Sequence, residues 1–444
     1  MLGYHIMKMI YPLKTLFVLF SCLFLAQQAV DAKNLVLISV DTLRKDRVGV
    51  YLDSKSLTPN MDRLAAQSVL FTEAFTVVPL TSPSMCSVMT GLPPALHGSE
   101  RNGLAKNEKV LTLAAVLRGL GYDTAAFVSN WTLKAHLCGL NQGFSLYDDQ
   151  MEDKRWAGLI KGETSAKAIN DKAIPWLERE AKEPFFLWVH YTEPHAPYVY
   201  HESFAEDSSN RGVRGRYDTE VAFVDHHIGL FLERLDALFP ADSTTVVLIA
   251  DHGESLGEHN YVGHGRQVYD PMMRVPLMIR DPSLTAGQRS SILFPLIDLA
   301  KTCMDLMSLQ GAAGLGGRSE LPVLRGEDSP RKWIFMETHR GAAVGRADGK
   351  DDKPRDDPTH LAVYAPPWKA IYELKPKKLL LFQMQEDPGE ERNLAKTEEN
   401  DRAQALYELL MGWYTQQTPL KKQGRHRPLS SKDTEALRSL GYIR

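Results

Sequence analysis

The chain has 444 residues, of which 43% are hydrophobic and 24% charged, with a formal net charge of −3. These values describe a globular protein with room for one large core and an appended subdomain. They exclude a general nucleic-acid binder, which needs a marked excess of positive charge.

Near the N-terminus, Lys8 and Lys14 precede the apolar run Leu16 to Ala26. The run is short for a membrane span and suits a signal peptide, with Val30-Asp31-Ala32 offering small residues for cleavage. Residues 1–32 are therefore expected to be a leader and the body to be exported, periplasmic or secreted. An uncleaved leader would instead tie the protein to a membrane. Past the leader remain Cys86, Cys138 and Cys303, too sparse for a disulfide framework and without zinc-ligand spacing. Buried thiols are expected.

Leu35 to Val40 is a continuous apolar run ending on Asp41, the pattern of a strand buried on both faces of a parallel sheet. Thr58-Pro59-Asn60 reads as a capped helix start. Ser82-Pro83-Ser84 opens a second helix that Gly91 could end, with Thr81 just ahead of it. Ala125 to Val128 and Pro184 to Val189 look like further strands. From Glu220 to Leu238, Val221, Val224, Ile228, Phe231 and Leu235 recur at helical spacing. Val246 to Ala250 repeats the first strand's texture and ends on Asp251-His252-Gly253. Val275 to Ile279 is a short strand, and Leu293 to Leu309 a helix. Past Gly311 the texture changes: Gly-rich and charged stretches separate a strand at Lys378 to Phe382 from a helix at Asp401 to Thr415. The expectation is an α/β fold, with a mostly parallel sheet and helices on both faces in residues 33–310. A small C-terminal α+β subdomain is expected in residues 311–444.

Ligands of open α/β sheets sit beyond the carboxyl ends of the strands. Asp41, Asp251 and His252 are therefore expected at one place, where hard oxygens and an imidazole suit a divalent cation. Thr81, at a helix N-terminus, would meet an anionic ester and could lose its proton beside that cation; taken alone, its segment reads first as a mere helix cap, and only the metal-like set brings the two readings level. His190, Glu193 and His195 follow a third buried strand and should face the same rim, where an imidazole could protonate a leaving alkoxide or activate water. His264 lies on a later loop, and Arg266 after it could grip an anion. His190, Glu193 and His264 could also complete a second metal site. His97, His226, His227 and His259 look structural.

These residues resemble the sulfatase family of the alkaline phosphatase superfamily across most of the chain. The carrying segments are Val40-Asp41-Thr42-Leu43-Arg44, Thr58 to Ala65, Thr81-Ser82-Pro83-Ser84-Met85 with Thr90-Gly91, Gln142-Gly143-Phe144 and Pro194-His195-Ala196-Pro197. Asp251-His252-Gly253-Glu254 to His259, Arg274-Val275-Pro276-Leu277 and Glu386 to Leu394 complete the set. The resemblance implies an alkaline phosphatase-like sheet and one divalent metal ion on Asp41, Asp251, His252 and Thr81. It also implies Thr81 as nucleophile, His195 at the leaving group, and His264 where the family carries a lysine that contacts the ester. Arg44 and Arg266 are the candidate substrate-binding arginines. Two carboxylates, a histidine and a hydroxyl suit Zn or Mn better than Ca.

The departures from the family pattern carry chemistry. Sulfatases convert a Cys or Ser to formylglycine with the help of the arginine in that motif; here the positions hold Thr81 and Met85. The second Asp of the usual pair is Thr42, and the family's Lys-x-His segment aligns with Ser129-Asn130-Trp131. A hydrated formylglycine expels sulfate through its second hydroxyl, an exit threonine lacks. A phosphothreonine can be hydrolysed by in-line attack at phosphorus. The resemblance therefore implies a metal-dependent hydrolase of sulfate or phosphate/phosphonate esters, or a phosphotransferase, with Thr81 favouring phosphoryl transfer and an anionic ester as partner. The alternative is a catalytically silent relative that binds anionic glycans or lipids.

Overall fold

Three strands ending at one level organise the molecule. In a computed structural model, which describes residues 32–52, 56–151, 164–205, 210–339, 358–417 and 430, the main sheet has eight strands. They are β1 (Asn34–Val40), β2 (Val69–Phe71), β3 (Asp123–Val128), β4 (Leu146–Asp148), β5 (Phe185–Tyr191), β6 (Thr244–Ala250), β7 (Leu277–Arg280) and β8 (Arg289–Ser290). Their order is β8-β2-β7-β6-β1-β5-β3-β4. All pairings are parallel except those of β7, which runs antiparallel to β6 and β2. β1, β5 and β6 are buried along their whole length, as continuous apolar runs covered on both faces must be. The register sets Val40 beside Tyr191 on one side and Ala250 on the other.

Helices cover the sheet: α1 (Pro59–Ala65), α2 (Thr81–Thr90), α3 (Leu113–Gly119), α4 (Ala166–Arg179), α5 (Val213–Leu238) and α6 (Leu299–Leu306). Every residue of α2 is buried. It stops at Gly91, whose φ of +71° is the left-handed conformation glycine adopts without strain. A side chain at that position would also strike Gly316 O. The expected α5 begins earlier, at Val213, because its polar first turns hide the amphipathic period. The expected helix from Leu293 holds only from Leu299. Phe294–Pro295 instead pairs with Ala74–Phe75, since proline pushes the preceding residue toward extended backbone. Cys86, Cys138 and Cys303 are free and buried.

A second, antiparallel sheet follows: β9 (Ile334–Thr338), β10 (His360–Ala365), β11 (Trp368–Glu373) and β12 (Lys378–Gln383), in that order. Leu361, Val363, Ala370 and Leu381 pack on helix α7 (Asn400–Gln417) through Ala403 and Leu410. Ala362, Tyr364 and Ile371 pack on Phe75, Val268, Met272 and Met273 of the first unit. Residues 1–31 of the expected leader (residues 1–32) and the charged segment at residues 346–355 lie outside the described residues. No helix among the described residues is long and apolar enough to cross a membrane.

The junction is clamped by Lys369, whose fully buried ammonium lies 2.8 Å from Asp270 Oδ1 and 2.8 Å from Glu390 Oε1. Arg274 holds the other oxygen of Asp270 at 2.8 Å. Removing one partner of a buried ion cluster strands the others in low dielectric. Lys369→Met should therefore lower unfolding free energy by about 3–5 kcal/mol, read from urea denaturation. A change within error would show that the cluster is not desolvated.

Candidate functional site

Asp41 and Asp251 are the first residues past β1 and β6. Asp41 N donates to Tyr191 O (2.9 Å) and Asp251 N to Val40 O (3.2 Å), so the sheet's own ladder delivers both carboxylates to one point. One oxygen of Asp251, Oδ1, accepts from the backbone N–H groups of His252 (2.7 Å) and Thr42 (3.2 Å). The other makes no hydrogen bond, and neither does Asp41 Oδ1. Both residues are fully buried.

His252 Nδ1 lies 2.9 Å from Gly253 O. A carbonyl only accepts, so Nδ1 carries the proton and Nε2 presents a lone pair. That lone pair faces Asp251 Oδ2 at 3.6 Å, Asp41 Oδ1 at 3.8 Å and Thr81 Oγ1 at 3.5 Å. Gly253 is needed there, because a Cβ would lie 2.0 Å from Pro271 O.

Asp41 Oδ1, Asp251 Oδ2 and His252 Nε2 all present lone pairs to one buried point, and they repel unless a proton or a cation lies between them. Their spacing is close to the roughly 3.4 Å edge of a tetrahedron of ligands about 2.1 Å from a metal. His190 extends the set. Its Nδ1 is 2.8 Å from Ser39 Oγ, while its Nε2 makes no hydrogen bond and lies 3.6 Å from Asp41 Oδ2. Asp41, His190 and Asp251 bring ligand atoms within 4.8 Å of one another.

Titration follows from this crowding. Burial, and then the Asp41 charge, push the Asp251 carboxyl well above its ordinary 3.8. Burial alone would raise Asp41 too, but the imidazoles of His195, His252 and His190 hold it below the ordinary carboxylate range. The pair thus keeps one proton where a cation would stand. Burial, reinforced by His264, lowers His252 to about 3, so its ring is neutral at pH 7.

Thr81 opens α2, which is strapped to the end of β6 by Ser84 Oγ donating to Asp251 O (2.6 Å). The ring of His264 lies 4.5 Å from that of His252 and 5.2 Å from that of His195. Glu254 Oε1 lies 3.1 Å from His264 Nδ1, and Tyr198 OH donates to Glu254 Oε2 (3.0 Å). A carboxylate behind a histidine fixes the ring and its tautomer. Met85, which the resemblance aligns with the motif arginine, is buried in the main core.

Two expected site residues are engaged elsewhere, and a third is exposed. The guanidinium of Arg44 is turned to Asp46, Glu258 and Glu254 O, so it braces the loop after Asp251 rather than facing a ligand. Arg266 is exposed on the loop past His264. Glu193 accepts from Ala166 N (3.1 Å) at the start of α4. A second metal group of His190, Glu193 and His264 is not among the close donor groups of the described residues. Of the histidines read as structural, His97 joins Ser87 Oγ (3.0 Å) to Ser99 N (3.1 Å), and His259 stacks on Tyr269.

Sequence reasoning missed two amides. Asn102 Oδ1 accepts from Ser82 N (3.0 Å) and Ser82 Oγ (2.9 Å), which leaves its Nδ2 buried beside the start of α2 without a hydrogen bond. Asn130 Nδ2 donates to Asp41 Oδ2 (2.6 Å). A lone asparagine carries no pattern; the only signal was that Asn130 falls in the segment aligned with Lys-x-His.

The sulfatase family profile matches residues 33–309. A second profile, described as N-sulphoglucosamine sulphohydrolase, C-terminal, matches residues 257–413. The chain is similar to the uncharacterized sulfatase YidJ of Escherichia coli, at 26% identity over 65% of this chain and 71% of that protein. It is similar to N-acetylgalactosamine-6-sulfatase of Homo sapiens, at 28% identity over 72% of each. In fold it resembles the phosphonate monoester hydrolase of Agrobacterium radiobacter, with a TM-score of 0.69 at 22% identity, over 87% of this chain and 96% of that one.

The raised pKa of Asp251 predicts the pH dependence. Its proton stabilises the metal-free fold below the unfolded value of 3.8, and that contribution is lost as pH rises through the folded value. A cation must displace the same proton, so affinity for Zn²⁺ or Mn²⁺ should rise with pH, with release of about one proton per ion. Calorimetry in two buffers of different ionisation enthalpy counts it. Uptake with no proton release would contradict the shared-proton picture.

Proposed function

The chain belongs to the sulfatase family, and we propose from that premise that it is a metal-dependent ester hydrolase in which Thr81 is the nucleophile and phosphate or phosphonate esters are favoured over sulfate esters. The observation that carries this reading is the 3.5 Å approach of Thr81 Oγ1 to the lone-pair nitrogen of His252, with two buried carboxylates facing the same point.

Asp41, Asp251, His252 and Thr81 would hold the ion, with His190 as a further donor. Two imidazole nitrogens among oxygens suit Zn²⁺ or Mn²⁺ better than Ca²⁺. When bound, the ion lowers the pKa of the Thr81 hydroxyl and neutralises charge on the ester oxygens.

The chain's own groups supply the rest. Thr81 Oγ, fixed at the first turn of a buried helix, attacks phosphorus in line with the departing alkoxide. The Nδ2 of Asn102 is available to donate to an ester oxygen. Its orientation is set in advance, so the donation costs little reorganisation. His195, on the rim beside His264, gives a proton to the departing oxygen, and the resulting phosphothreonine is opened by water. His264 is held by Glu254 where it can meet the ester. A threonine sulfate has no elimination route, which favours phosphorus over sulfur. The fold hosts cleavage of phosphonate monoesters in the Agrobacterium radiobacter protein.

Thr81→Ala, assayed at saturating zinc because it also removes one proposed ligand, should cut hydrolysis of aryl phosphodiesters and phosphonate monoesters by roughly a thousandfold or more. Mass spectrometry of a rapidly quenched reaction should place phosphate on Thr81. His195→Ala should slow alkyl esters by about 10²–10⁴-fold and 4-nitrophenyl esters much less, because a good leaving group needs no acid. A protein that binds the ion but leaves phosphate, phosphonate and sulfate esters intact, with or without Thr81, would be a silent binder of anionic glycans or lipids instead.

A further inference from the structure

We infer that Asn130 is a positioning residue that locks the Asp41 carboxylate in the one rotation that leaves an oxygen for the cation. This rests on the reading of Asp41, Asp251 and His252 as a cation site.

Asn130 is fully buried at the end of β3 and caps the short turn Trp131–Leu133. Its Oδ1 accepts from Thr132 N (2.9 Å) and from Thr132 Oγ1 (2.8 Å). The backbone N–H can only donate, so the oxygen of the amide must lie on that side and the NH₂ on the other. The NH₂ therefore faces Asp41 Oδ2, which it meets at 2.6 Å in a charge-assisted bond. With Oδ2 held, rotation of the carboxylate is stopped. Oδ1 is left without a hydrogen bond, on the side of the His252 lone pair.

The same turn reaches the neighbouring strand. Ser129 Oγ donates to His190 O (2.5 Å) and accepts from Thr192 Oγ1 (2.6 Å). One four-residue segment thus fixes the carboxylate at the end of β1 and the backbone of His190 on β5. Ser129-Asn130-Trp131 aligns with the sulfatases' Lys-x-His; this chain has placed there a neutral support for a donor in place of charged groups.

The test measures zinc affinity by competition with a chromophoric chelator, and thermal melting of the chelator-stripped protein. Asn130→Leu should weaken zinc binding by about 10–100-fold, the usual effect of losing a partner behind a ligand. Metal-free melting should fall as well, since Asp41 Oδ2 and Thr132 N lose a buried partner, and excess zinc should restore the metal-induced rise. Thr132→Val, which removes one of the two donors that orient the amide and touches no carboxylate, should weaken zinc binding several-fold. Asp251→Asn is the control for the site itself. Wild-type affinity in Asn130→Leu, with binding lost in Asp251→Asn, overturns the role of Asn130 and leaves the cation site standing. Should Asn130→Leu fail to fold, unchanged affinity in Thr132→Val overturns it. If the wild-type protein takes up no divalent ion, the functional reading falls and this inference with it.

Discussion

Asp41 and Asp251 are buried and face a histidine lone pair, and their mutual repulsion is relieved only by a shared proton or by a cation at the centre. The rest of the site answers to this constraint. The backbone N–H groups of Thr42 and His252 occupy one oxygen of Asp251, Asn130 occupies one of Asp41, and Gly253 O fixes the tautomer of His252. Each of these bonds satisfies a polar atom facing away from the centre and leaves bare one facing it. Among the buried atoms left bare, Asp41 Oδ1, Asp251 Oδ2 and His190 Nε2 lie together at this point.

Convergence is a property of the sheet before it is one of the side chains. Parallel strands β1, β5 and β6 end in register, so their next residues must meet. Helix α2 is tied to the end of β6 through Ser84, which sets Thr81 over the same point. The second sheet reaches the site as well. Glu337 N donates to Val77 O ahead of helix α2, and Thr338 Oγ1 donates to Gly265 O beside His264. Edge strand β9 is thus a buttress for two loops of the first unit.

Much of this was legible in the sequence, for a physical reason. A strand buried on both faces must be continuously apolar, so a carboxylate directly after it stands out; Asp41 and Asp251-His252 were readable from local texture alone. Helix α2 was readable from its proline and its closing glycine. Asn102, Asn130 and Ser39 were not readable, because each matters through a partner far away in the chain or on another strand, and polar contacts of that kind leave no periodic trace. Glu254 lay in plain view within the Asp251 motif, yet its role depends on a loop that folds His264 back onto it. Arg44 was misassigned for the converse reason. An arginine near a site suggests an anion, and only the fold reveals that Asp46 and Glu258 already hold it. Proline decided the start of α6, where hydrophobic spacing pointed the other way.

Met85 bears on what residue 81, one helical turn before it, could become. The side chain has no exposed surface and sits in the main hydrophobic core, at the position that the resemblance aligns with the arginine of the sulfatase maturation motif. A guanidinium there would bury a charge among apolar neighbours, at a cost of several kcal/mol. On that alignment a cysteine placed at position 81 would stay a plain thiol, since an arginine at position 85 would carry its charge into the core.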